Sequence, residues 1–476
     1  MDPALTNHTN LSGTETDPSK LSQLLSYRPT PQQNLLLIAF LFPSLLIYLI
    51  NNRYQKKSKS KPATTTSPSK PSSSIVSSSS SSTSANLKDR PFGIWPPSSY
   101  KFPTPPPYPN WSITTTKPLP YRPFRYGPVY HTTMGLRTIA PENWIELDSD
   151  YPKYHSSKAR RIAERREKCI KVAPEAAAAA VELLEELVEY LPARYPSLFR
   201  RTEVGVDNLW SGEVFDIRGL TGQGEKGVVE EGEKAMEIAA RLVQDDLILM
   251  MECTTTTGTE KEGKEGKEGK EGKGEEKEEE FRLLAGAALL PGFWRLTQKF
   301  GMTLSELHTK GVNVPQYREK LHRGMHNLFR RLRPEQMVGR NNYFIQVDDS
   351  LPWSWSIGDE DDEDREGSWE LAEPNKAVEH HYFRSERQTL RRLPKTGAVV
   401  FTVRTYFEPV TKIAEEDYVP GRLASAVRSW GDDVSKYKGK EKYGDVLLEF
   451  LDRKHREQVA RGLDLAREEE CRGYPF

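Results

Sequence analysis

Two groups of side chains in this sequence have types and spacings suited to chemistry. The first is His308, which closes the apolar and basic run from Leu290 to His308 shortly before Gly311. An imidazole at the end of such an element can project into a cavity and ligate iron or another metal; a histidine packed at a helix end is the plainer alternative. The second is a crowd of guanidinium groups, Arg384, Arg387, Arg391, Arg392 and Arg404, between Phe383 and Phe407, with Arg340 just ahead of another strand-like run. Their planar forks match carboxylate or phosphate groups of a ligand. Arg391 and Arg392 also admit an ordinary role, covering the C-terminal end of a short helix before Pro394. Arg404 stands apart because it interrupts a β-rich run suited to burial. A buried arginine needs an anionic partner, and Glu386, Glu408 or an acid group of a bound ligand is in reach of the sequence.

The remaining histidines carry less. His322 and His326 are four apart on one helix face, a spacing that can hold zinc, but no third ligand accompanies them and a solvated pair is expected. His380 and His381 adjoin an acidic stretch and read as surface residues. No Gly-x-Gly-x-x-Gly, Walker, His-Glu-x-x-His or Gly-x-Ser-x-Gly pattern occurs, so the common nucleotide, zinc-protease and hydrolase signals are absent. Cys169, Cys253 and Cys471 are far apart, which excludes an iron–sulfur cluster or a four-thiolate zinc site within the chain and fits a reducing compartment. Acidic and basic residues balance at 68 each, so no global field recruits nucleic acid.

The elements that must position these groups can be read from periodicity. Pro174 opens a helix through Leu191 with Val181, Leu184, Leu187, Val188 and Leu191 on one stripe. Glu233 to Met251 and Pro315 to Leu332 read as two further helices, and Pro420–Trp430 and Tyr443–Glu470 as later ones. Strands are clearest at Asn342–Val347 and Ala398–Phe407, with a hairpin in Val204–Ile217. Within the second strand Val399, Phe401, Val403 and Phe407 face one way, and Val400, Thr402, Arg404 and Tyr406 the other, giving a core side and a mixed side. Helices, then strands, then helices argue for an α+β fold rather than a parallel βαβ sheet.

The N-terminal quarter is a different kind of sequence. Residues 1–33 read as a tail and 34–52 as one transmembrane helix. The apolar core of that segment, Leu35 to Ile50, spans roughly 24 Å at about 1.5 Å per residue, to be completed by flanking Gln and Asn across a core of ~27 Å. Arg53, Lys56, Lys57, Lys59 and Lys61 follow it, so the positive-inside rule places the tail in the lumen and the large C-terminal part in the cytosol. Endoplasmic reticulum is the expected membrane. Residues 53–123, rich in serine and then proline, read as a disordered linker, and 124–476 as the folded domain. Within it a Glu-Gly-Lys repeat (254–280) and an acidic run (357–370) read as solvated, disordered insertions.

Several segments, in order, are similar to the haem-dependent oxidative N-demethylase alpha-subunit family. They are Met134-Gly-Leu-Arg137, Trp144 to Asp148 with Tyr151, Val243 to Leu247, Pro291 to Trp294, Lys299 to Gly301, Leu307-His308, Val314-Pro315, Arg340 to Tyr343, Glu386 to Leu390 and Tyr437 to Gly439. The resemblance implies a PAS-like haem-binding core, an antiparallel sheet flanked by helices. It implies haem b, an oxygen-dependent N-demethylation of a small secondary amine, and electrons from a separate flavin and iron–sulfur reductase that uses NADPH. It raises His308 to the axial-ligand candidate and makes Arg340, Arg387 and Arg404 candidates for the haem propionates or the distal pocket. Two other classes compete. A non-catalytic PAS-like sensor of haem or a small molecule would bind without releasing formaldehyde, and a membrane-anchored glycosyltransferase would need its catalytic part in the lumen.

Overall fold

The computed structural model describes residues 90–471 apart from 120, 123–126, 128, 225–226, 258–275, 311–312 and 363–367. The expected tail, the transmembrane helix at 34–52 and the linker up to residue 89 lie outside the described residues. Among those described, no helix is long and apolar enough to cross a membrane.

In chain order the first half holds β1 (Arg137–Thr138), α1 (Tyr151–Cys169), β2 (Ile170–Val172), α2 (Ala177–Arg194), the short strands β3 (Phe199–Arg201), β4 (Gly205–Asn208) and β5 (Val214–Asp216), and α3 (Val228–Leu242). Then come β6 (Asp246–Thr257), β7 (Glu276–Ala287), α4 (Leu296–Lys299), α5 (Leu304–Thr309), a π-helical turn at Tyr317–Leu321 and α6 (His322–Arg331). Strands β8 (Met337–Gln346), β9 (Tyr382–Arg392) and β10 (Val399–Pro409) follow, and α7 (Val410–Ile413), α8 (Val419–Arg428), α9 (Asp432–Tyr437) and α10 (Gly444–Ala460) close the chain. Seven strands form one sheet in the order β1-β8-β9-β10-β6-β7-β2, and β3-β4-β5 form a second, smaller one. Every pairing between these strands is antiparallel, so the expected α+β class holds.

Both faces of the large sheet are covered, and alternation along each strand decides which residue meets which layer. One face carries Leu247, Leu249, Ala285, Ala287 and Val400 and packs on the apolar stripe of α2 and on Ala235, Ile238 and Ala239 of α3. Towards the other end of the molecule Tyr343, Ile345 and Phe383 pack on α7, α8 and α10. The opposite face carries Ile248, Met250, Leu283, Leu390 and Val399 against Leu296, Leu304, Phe329 and Leu332.

The structure redraws several expected boundaries. The helix read through Met251 ends at Leu242, and the greasy run after it is β6. Because Leu247–Met250 is buried on both faces, its apolar pattern is continuous and carries no period that separates strand from helix. Arg391 and Arg392 end strand β9, not a helix. The segment assigned to the linker packs on the domain from Arg90 onward. Trp95 donates its indole N–H to the Pro394 carbonyl at 2.9 Å, Tyr108 N donates to Arg194 O at 2.8 Å, and the Trp111 indole donates to Leu147 O at 2.7 Å. Proline removes donors, so this strap is held by aromatic side chains in grooves rather than by a ladder. The two insertions are also narrower than expected. Strand pairing continues out to Thr257 and Glu276, and Glu360 of the acidic run is buried against Arg161 and Arg165 of α1, with Asp361 beside Arg165 and Lys168.

Candidate functional site

Between the second face of the sheet and the layer formed by α4, α5, the π turn, α6 and α9 lies a cavity of about 400 Å³, within the ordinary range for a cofactor or small ligand. Its character changes from end to end. Ile248, Met250, Leu283, Phe401, Val403, Leu321, Met325 and Leu328 make an apolar chamber, while Arg340, Asn342, Glu386, Gln388, Tyr437 and Lys438 supply a polar end. Strand register assembles the polar patch. Arg340 lies opposite Gln388, Asn342 opposite Glu386, and Glu386 opposite Thr405, so all five point to the same side of the sheet.

His308 stands on the short helix α5, whose start is fixed by a reciprocal cap. Thr303 Oγ1 accepts the Glu306 N–H at 3.1 Å and Glu306 Oε2 accepts the Thr303 N–H at 2.9 Å. The His308 ring stacks on Tyr317 with centroids 4.7 Å apart and planes 5° from parallel. Burial, with the charges of Arg340 and Lys299 adding to it, pushes its pKa down to about 4. The ring is therefore neutral at physiological pH and carries one proton. Its Nδ1 lies 2.7 Å from the Leu304 carbonyl, which can only accept, so the proton sits on Nδ1. That leaves Nε2 as a lone-pair donor on a residue that lines the cavity, the arrangement in which a second hydrogen bond orients a metal-binding imidazole.

His322 and His326 lie behind this element. Their Nε2 atoms meet on the hydroxyl of Ser305 at 3.1 and 3.2 Å, and their ring centroids are 4.5 Å apart. They are half-buried rather than solvated, and no group of three His, Cys, Asp or Glu side chains able to hold a metal occurs among the described residues. His380 is exposed as expected, but His381 is fully buried, edge-on to Tyr443, and burial pushes its pKa down to about 4.

The four residues singled out from the sequence divide evenly. His308 and Arg340 line the cavity; Arg387 and Arg404 do not. Arg387 and Arg404 are cross-strand partners on the opposite face of the sheet, beneath the helices. Arg404 NH2 donates to Asp148 Oδ2 at 2.6 Å, and its guanidinium lies 4.4 Å and 4.3 Å from the ring centroids of Tyr154 and Tyr406. Arg387 donates to the Tyr121 hydroxyl at 2.9 Å and the Trp144 carbonyl at 3.0 Å, and pairs with Glu146 at 3.1 Å. The anionic partner that Arg404 requires is thus Asp148, supplied by a loop more than 250 positions away in sequence. Beside them Asp245 has neither carboxylate oxygen hydrogen-bonded, and burial pushes its pKa up to about 6 against the pull of Arg404 and Arg387.

Lys438 was not singled out as a site residue, although its tripeptide was. Its side chain lines the cavity and is 3% exposed. The ammonium donates to the Tyr343 carbonyl and lies 4.7, 4.3 and 5.5 Å from the ring centroids of Tyr343, Phe344 and Trp430. Burial pulls its pKa down to about 7, against the attraction of Glu386. The signal available was a lysine between Tyr437 and Gly439 in an aromatic context. Gly439 adopts φ +69°, and a β-carbon there would lie 2.2 Å from the Trp369 ring, so only glycine lets the chain turn at this point.

Residues 135–448 match the model of the family described as haem-dependent oxidative N-demethylase, alpha subunit-like. The chain belongs to that family. Within this N-demethylase-like domain the match spans the strands, helices and loops that carry His308, Arg340, Glu386 and Lys438. The donor set suits the group that the family's name requires. Haem needs an apolar slot, an axial donor with a free lone pair, and cations for its acid groups. The cavity offers the apolar chamber, His308 Nε2, and Arg340, whose Nε is buried without a hydrogen-bond partner.

Proposed function

We propose that the cavity binds haem b with His308 as axial ligand, and that the protein is the haem-bearing component of a monooxygenase that removes an N-methyl group from a small secondary amine. The observation that carries this reading is the tethered imidazole of His308 lining a cavity with an apolar chamber and, at its polar end, the unpaired guanidinium of Arg340. Bound haem would supply the oxygen-activating iron. The chain's own residues supply the setting. Leu304 O and Tyr317 orient the imidazole, and the apolar chamber built on β6, β10 and α6 excludes water from the reacting amine. Glu386, whose carboxylate accepts from Gln388 at 3.0 Å and Asn342 at 3.5 Å, is the acceptor for an amine N–H or its proton. With three scattered cysteines and no glycine-rich nucleotide loop, the chain draws electrons from a separate flavin and iron–sulfur reductase in this scheme. A single N-terminal span holding the domain on the cytosolic face of the endoplasmic reticulum, and a PAS-like description of the sheet, belong to the same proposal.

The test is an absorption spectrum of the purified chain titrated with haem. A saturable Soret band that shifts to that of unligated haem in His308→Ala supports the reading; an identical spectrum in both proteins rejects histidine ligation. Formaldehyde release from an N-methyl secondary amine, given NADPH and a reductase, separates catalysis from sensing.

A further inference from the structure

We propose that Arg340 and Lys438 form a two-cation clamp that seats the paired carboxylates of a porphyrin in the polar end of the cavity. This deepens the haem reading and rests on it.

Comparison with the other buried cations of the sheet is what isolates these two. Arg391 pairs with Glu186 at 2.5 Å, Arg392 with Glu252 at 3.2 Å, and Arg404 with Asp148 at 2.6 Å. Arg384 donates to the carbonyls of Leu351 and Leu290. Each of these has a carboxylate or carbonyl partner within the protein, as burial of a charge demands, although Nε of Arg384, Arg391 and Arg404 makes no hydrogen bond. Arg340 has neither an ion pair nor a hydrogen bond among the described residues, and its Nε is buried. Lys438 has one carbonyl acceptor for three N–H donors and no carboxylate within ion-pair distance among the described residues. Both line the cavity.

The acid nearest to hand does not discharge them. Glu386 takes the side-chain amides of Gln388 and Asn342 on Oε2, its closest guanidinium is Arg384, at 3.8 Å from Oε1, and it forms no ion pair with Arg340 or Lys438 among the described residues. Two cations without carboxylate partners among the described residues, on separate elements at the polar end of a cavity whose other end is apolar, match a flat hydrophobic molecule with two acid groups on one edge. They match a small monocarboxylate poorly, since it would leave one cation unpaired. The aromatic cage adds selectivity. Tyr343, Phe344 and Trp430 surround the amine without pairing its charge, and a ligand carboxylate placed beside it would favour the charged form.

The experiment uses the full chain with iron-free protoporphyrin IX and its dimethyl ester, read by porphyrin fluorescence, so no activity and no iron ligation enters. Wild type is expected to bind the free acid at least about tenfold more tightly than the ester. Arg340→Met and Lys438→Met are each expected to weaken the free acid about tenfold while leaving the ester unchanged. The ester comparison on wild type stands even if a variant fails to fold. Equal affinity of wild type for acid and ester, or equal weakening of both by the variants, overturns the clamp while leaving a haem site in place. Failure of wild type to bind either porphyrin overturns the haem reading as well.

Discussion

At the scale of single residues, the molecule sorts its buried charges into those the fold consumes and those it leaves open. Arg387 and Arg404 are consumed. They sit between the sheet and its helices among Asp148, Glu146 and tyrosine hydroxyls, and they carry no cavity function in the structure. Asp245 is the cost of that arrangement, a buried carboxylate with no hydrogen bond. Its folded pKa of about 6 lies above its ordinary value of 3.8. The native state therefore holds the proton more tightly than the unfolded chain. The resulting penalty is absent below the unfolded pKa and fully present once pH has risen through the folded one. Asp245→Asn should accordingly gain stability relative to wild type as pH rises, by on the order of 2 kcal/mol between pH 4 and pH 8. Chemical denaturation of both proteins at the two pH values measures it, and a pH-independent difference would show that Asp245 is ionised without penalty. Of these residues, only Arg404 announced its need for a partner in the sequence. Which acid meets it depends on how a loop some 250 positions earlier folds back, and no local pattern encodes that.

At the scale of elements, the short helix α5 decides where the site's imbalance of donors and acceptors ends up. Six residues cannot hold a helix by propensity alone, so its cap matters more than its length. Thr303→Ala removes the hydroxyl that takes the Glu306 N–H and should destabilise the element by about 1 kcal/mol. The expected readout is weaker haem binding with an unchanged Soret position, restored by Thr303→Ser. A shifted band would mean that the cap changes the ligand itself rather than the position of its helix. The same scale explains the misread boundary at Leu242. A run of apolar residues buried on both faces looks alike in a core helix and a central strand, and the pairing of Met250 with Val399 settles it.

At the scale of the whole molecule, the folded body begins earlier than composition indicates, and described structure reaches further into both expected insertions. The strap from Arg90 anchors Trp95 on Pro394 and Trp111 on Leu147, and the pairing of Thr257 with Glu276 carries the sheet out to the Glu-Gly-Lys repeat. Replacing residues 258–275 by a short turn should leave the melting temperature and haem affinity of the chain at wild-type values; a loss of either would assign the repeat a structural role. By itself the sequence determined the α+β class, the stripe of α2, the alternation of β10 and the placing of a histidine at the end of a short apolar element. Those features are local, because period, cap and flank are written in neighbouring residues. Only the tertiary structure decided that Arg340 opens on the cavity while Arg387 and Arg404 turn away, and that Lys438 joins it from beyond α9. Strand alternation says that two residues oppose each other across a sheet. Which of the two faces receives helices and which receives a hollow follows from contacts between elements far apart in the chain.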